Sequence, residues 1–139
     1  MSENDSTDMK VDQIQSNWKM FEKFCNRLSD SGLNSLLDAM GERICMAPAS
    51  MRSVSPGAYP GGLIEQALQV TSTMRKLYDS VYKKGGPSCE VASILKVGLL
   101  HDIGRVGDLE SDFLVEQDSD WHREKLGQMY KYNEDADKM

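Results

Sequence analysis

Apolar residues early in the chain recur at alternating spacings of three and four: Val11, Ile14, Trp18, Phe21, Cys25 and Leu28. This period lines one face of a helix, and the run Ser29-Asp30-Ser31-Gly32 supplies its stop. Leu33, Leu36, Leu37, Met40 and Ile44 continue the pattern in a second, shorter helix that ends before Pro48. From Ala47 to Gly62 the stretch APASMRSVSPGAYPGG is so rich in proline, glycine and small residues that it predicts a long loop. Long ordered loops often carry function.

A third helix follows, with Leu63, Ala67, Val70, Met74, Leu77, Tyr78 and Val81 in one broad stripe closed by Gly85, Gly86 and Pro87. Ser88 is placed to cap a fourth, with Glu90 in its first turn. Val91, Ala92, Ile94, Leu95, Val97, Leu99 and Leu100 then cover nearly every side, which predicts a central, buried helix. Past Arg105 the helical period fades. Gly107, an Asp118-Ser119-Asp120 turn and Gly127 permit a short hairpin between 113–116 and 125–132. The pattern as a whole predicts an all-α, mainly helical bundle with one long loop and a small β-hairpin. Residues 11–132 form its single domain, between a polar, disordered tail at 1–10 and an acidic tail at 133–139.

Composition narrows the choice of partners. A chain of 139 residues suits one core. With 16 basic against 22 acidic residues, its formal charge of -6 argues against a broad footprint on nucleic acid or anionic membrane. No apolar run approaches the ~20 residues that cross a bilayer, and the polar start MSENDSTDMK is unlike a signal peptide. A soluble, cytoplasmic protein is expected. Cys25, Cys45 and Cys89 lack paired spacing and read as core thiols of a reducing compartment. Met40, Met46 and Met74 fall on core stripes.

Candidate chemistry sits in LLHDIGRVGD, Leu99 to Asp108, where His101 and Asp102 stand side by side at the end of the fourth helix, with Gly104 placed to cap it. A helix C-terminus disfavours a carboxylate, so Asp102 calls for a positive partner. Arg105 could supply it as a salt bridge, or a divalent metal could be gripped by imidazole and carboxylate together. Arg105 is equally able to clamp a phosphate. His122 is either a contact near the doublet or a surface histidine, and Trp121 beside it reads as a packing anchor. Arg52 and the amides of Tyr59 to Gly62 precede a helix start, where anions can bind.

The pairing of AYPGGLIEQALQV with EVASILKVGLLHDIGRVGD, together with QDSDWHREKLG at 117–127, resembles the HD-domain superfamily of metal-dependent phosphohydrolases. It is most similar to the small HD proteins of tailed bacteriophages, over about Ala47 to Tyr132. The resemblance implies a helical bundle holding a divalent ion (manganese, magnesium, iron, cobalt or zinc) that activates water against a phosphate ester or anhydride of a nucleotide. It implies His101 and Asp102 as catalytic metal ligands, a small phosphate-bearing ligand, and, for a phage protein, the host cytoplasm. Two departures stand out. Gln66 occupies the place of the family's first histidine, leaving an amide oxygen as a weaker third ligand suited to a hard ion. Only loop and hairpin follow where the family supplies a later aspartate, and neither Asp135 nor Asp137 lies on an evident helix. The rival expectation is therefore an inactive HD-like scaffold that binds a nucleotide, a protein partner or a second copy of itself.

Overall fold

A computed structural model describes residues 10–81 and 90–135. Four principal helices make the body: α1 (Val11–Arg27), α2 (Ser31–Met46), α3 (Gly62–Val81) and α4 (Val91–Leu100). After α4 come a 3-10 turn (Ile103–Val106), β1 (Leu114–Glu116), α5 (Asp120–Leu126) and β2 (Tyr130–Tyr132). The two strands pair antiparallel, Leu114 opposite Tyr132 and Glu116 opposite Tyr130. The mainly helical architecture and the small hairpin follow the sequence pattern. Among the described residues, no helix is long and apolar enough to cross a membrane.

The first helices bury the residues their period selects. Phe21 and Cys25 of α1 pack with Leu33, Leu37, Met40 and Ile44 of α2, Ile14 is buried beside Gly61, and Val11 at the helix start stays exposed. Ser29 turns the chain with φ 50°, and Asp30 caps α2 by accepting the Leu33 amide at 3.0 Å. The run that reads as a stop thus also contains the next helix's start signal. Burial raises the Cys25 thiol to about 11, with a smaller push from Glu22, and it also raises Cys45. Both cysteines are free, and neither carries the lowered pKa that makes a thiol reactive. Cys89 lies outside the described residues.

Leu63, Ile64 and Ala67 from the first two turns of α3 complete that core, joined by Leu99 and Val106. Further along, the expectation needs correction. Leu77 is 57% exposed and Val81 is exposed, while Val70, Met74 and Tyr78 are half-buried. α4 is not central either: Ile94, Gly98 and Leu99 are buried, whereas Val97 is 57% exposed and Val91 also faces water. Apolar residues on several sides of a helix show what it could bury, and among the described residues Val91 and Val97 of α4 are left uncovered. Met46 is exposed too, because α2 ends there. Gly85 to Pro87 and the Ser88 cap lie outside the described residues.

α3 and α4 cross closely at one point. A Cβ on Gly98 would lie 2.5 Å from Thr71 Oγ1 and 3.0 Å from Thr71 Cα, so glycine is required there. Thr71 is buried and donates its hydroxyl to the Ala67 carbonyl at 2.7 Å. Gly104, expected to cap α4, instead lies within the 3-10 turn without a positive φ. The turn carries the chain onward from Asp102, and the left-handed residue comes later, at Gly107 with φ 105°.

The segment beyond Asp118 contains a helix that the sequence pattern hid. Ser119 is the N-cap of α5, accepting the His122 amide, and Gly127 ends the helix in the left-handed conformation with φ 62°. None of the seven residues of α5 is buried, so there was no apolar stripe to find.

Candidate functional site

His101 and Asp102 follow the last turn of α4. Each side chain is 32% exposed, so the doublet opens partly to solvent. His101 Nδ1 lies 2.9 Å from the Gly98 carbonyl oxygen. A carbonyl can only accept, so Nδ1 carries a proton and the other ring nitrogen, Nε2, is the one left for a second partner. That Nε2 lies 3.8 Å from Asp102 Oδ2.

The same carboxylate oxygen faces Arg105 Nε at 3.4 Å, one turn further on. Arg105 also donates from Nη1 to the Ala49 carbonyl at 3.0 Å. One guanidinium thereby ties the foot of α4 to the long loop between α2 and α3. It is the positive partner that a carboxylate at a helix C-terminus requires.

The donor set can be tested against a metal. Two ligand atoms bound to one ion at about 2.1 Å each can be no more than about 4.2 Å apart, so a spacing of 3.8 Å is compatible with chelation by the pair. The rest of the set does not fit. Among the described residues, no three of His, Cys, Asp and Glu gather into a group able to hold a metal. Gln66 is half-buried in the second turn of α3, and the doublet's hydrogen bond and ion pairs go to Gly98 and Arg105 and between its own two members. A cation already sits on the carboxylate oxygen nearest the imidazole.

The loop before α3 is closed on itself. Ala49 donates to the Gly57 carbonyl at 2.8 Å and Ser50 Oγ to that of Pro56 at 2.6 Å. Two of the amides proposed as an anion cradle are spent within the loop, Gly61 donating to Met46 and Gly62 to Tyr59, and the next amide, Leu63, donates to Ala47. Gly62 packs directly on the Gly57 carbonyl, leaving no room for a side chain. The glycines allow backbones to touch, and the Gly61 and Gly62 amides are turned to carbonyls of the protein rather than left for an anion. Arg52 is exposed and meets Gln128 in an isolated bridge.

His122 serves α5. Its Nδ1 lies 2.7 Å from the capping Ser119 hydroxyl, and its ring meets Trp121 edge-on at 5.1 Å. Trp121 itself is exposed, not a packing anchor, because α5 buries none of its residues.

The structure adds residues the sequence did not single out. Arg43 of α2 holds Asp112 at 2.7 Å and the carbonyls of Asp108 and Val106, pinning the chain after the 3-10 turn against the bundle. Asp108 accepts the amides of Glu110 and Ser111, which lower its pKa, and this Asx turn was readable in GDLES. The Arg43 clamp spans 69 residues to Asp112 and left no local signal. Tyr59 donates its hydroxyl to Glu65, and burial, reinforced by that bond, raises the phenol to about 12.

A cavity of about 490 Å³ lies between the end of α2 and the hairpin, lined by Arg43, Arg105, Leu114 and Tyr130 but by neither His101 nor Asp102. Its two arginines are engaged with protein oxygens, so they offer an anion little. No protein-family model, curated protein or solved structure matches this chain.

Proposed function

We propose that the chain is a non-catalytic, HD-like helical binding module in which the His-Asp doublet braces the fold. The observation that carries this reading is the Arg105 guanidinium, shared between the Asp102 carboxylate and the Ala49 carbonyl. A charge-assisted bridge of this kind stabilises by ~1.5–3 kcal/mol when shielded and by less at partial exposure. A divalent ion on Asp102 would have to displace or repel it.

Calorimetric titration with manganese, alongside phosphate release from a nucleoside monophosphate, tests the reading. No binding tighter than about 1 mM and no turnover is the expected result. Micromolar binding accompanied by hydrolysis would refute it.

A second reading, metal-dependent phosphohydrolase, is favoured by the 3.8 Å between His101 Nε2 and Asp102 Oδ2, a spacing that two ligands of one ion can have. There His101 and Asp102 are ligands, Gln66 is a weak third, and Arg105 steadies the phosphate. Gln66→His separates the two readings. It strengthens manganese binding only if Gln66 faces the doublet, and it has no effect on a brace.

A further inference from the structure

The described face of the bundle that combines open apolar surface with a consistent charge is a groove between α1 and α3. Met20 and Phe24 of α1 and Leu68 of α3 line it, with Leu95 of α4 also contributing, around a volume of about 910 Å³. Eleven residues line it, and they include two cations, Arg75 and Lys76, and no carboxylate. That bias is notable in a chain with 22 acidic and 16 basic residues. Outside the lining, the Arg27 guanidinium stands 5.7 Å from the centroid of the Phe24 ring. Arg75 faces Asp79 at 3.6 Å in an exposed pair, whereas among the described residues Lys76 has no ion-pair partner.

We propose that this groove docks an amphipathic helix of a partner protein, one with an apolar stripe flanked by acidic side chains. The groove is only partly enclosed, whereas small-molecule pockets enclose most of the ligand's surface. A trough between two helices matches the ridges of a third, and recognition of this kind reads apolar anchors at successive turns. The cations select the flank. Screening confines the opposing effect of the net charge, because at physiological salt a charge acts over about 8 Å. The groove contains neither His101 nor Asp102, so its occupant does not depend on what the doublet binds.

The test uses a fluorescent helical peptide of about 15 residues, roughly four turns, with leucine on one face and glutamate on both flanks. A matched peptide carries lysine on its flanks. Anisotropy with the full chain is expected to show the glutamate peptide binding about tenfold or more tightly than the lysine peptide, and weakening as salt rises. The exposed pair Arg75→Glu and Lys76→Glu should reverse that preference with an unchanged circular-dichroism spectrum. Equal binding of the two peptides, or binding of neither, overturns the proposal. So does sedimentation of the chain as a dimer that Met20→Glu dissociates, for then a second copy fills the groove.

Discussion

The two ends of the helical bundle obey the same apolar period and meet different fates. Where α1, α2 and the start of α3 converge, Phe21, Cys25, Ile44 and Ile64 are shut away from water. Toward the end of α3 and on the outer side of α4, Leu77, Val81, Val91 and Val97 remain at the surface. Periodicity records which face of a helix is apolar; burial also needs a neighbour to cover it. The contrast explains why the described chain can hold a dense core and still present unfilled apolar surface.

The largest expected effect comes from truncating the dense end. Phe21→Ala removes a fully buried ring that stacks on Trp18, with centroids 5.6 Å apart, and should cost ~3–5 kcal/mol in urea unfolding. Leu77→Ala at the open end should change stability by no more than about 0.5 kcal/mol. Comparable losses would erase the distinction, because Leu77 would then be covered in solution.

Between the dense core and the exposed ends of α3 and α4 lies a tight contact. Gly98→Ala forces a methyl group against Thr71, including its backbone, and overpacking of this kind costs ~1–3 kcal/mol. Gly104 has no atom within 4 Å of an added Cβ, so Gly104→Ala should be neutral or slightly stabilising in the same denaturation experiment. A harmless Gly98→Ala would show that α3 and α4 can slide apart.

These residues also show what was legible beforehand. The period located α1 to α4, and the proline- and glycine-rich run marked the loop, because helix geometry and turn chemistry are local. The exposure of Val97 was not legible, since it depends on what packs against α4. Gly98 gave no local sign of its contact, whose partner Thr71 lies on another helix. At the candidate site, Asp102 and Arg105 are three apart, so their pairing could be named in advance. The second partner of Arg105, the Ala49 carbonyl, is distant in sequence and could not. Ser119 and Gly127 were start and stop signals in plain view, overlooked because α5 has no buried face to join them.

The smallest effect links the two ends. Asp30 caps α2 at the dense end, and its other oxygen meets Lys96 of α4 at 3.1 Å. The Leu33 amide, and then Lys96, hold the carboxyl below the ordinary aspartate range. A carboxyl whose folded pKa lies below its unfolded value stabilises the folded chain fully above the ordinary range, and this contribution fades as pH falls through the lowered folded value. Melting temperature followed from neutral to acid pH should therefore show a shallower acid decline for Asp30→Asn. Asparagine retains a capping oxygen but cannot titrate. Lys96→Met removes the ion pair and leaves the cap, so it should flatten the decline only in part. If Lys96→Met flattened the curve as fully as Asp30→Asn, the link between the ends would outweigh the cap, contrary to the order of their effects on the carboxyl.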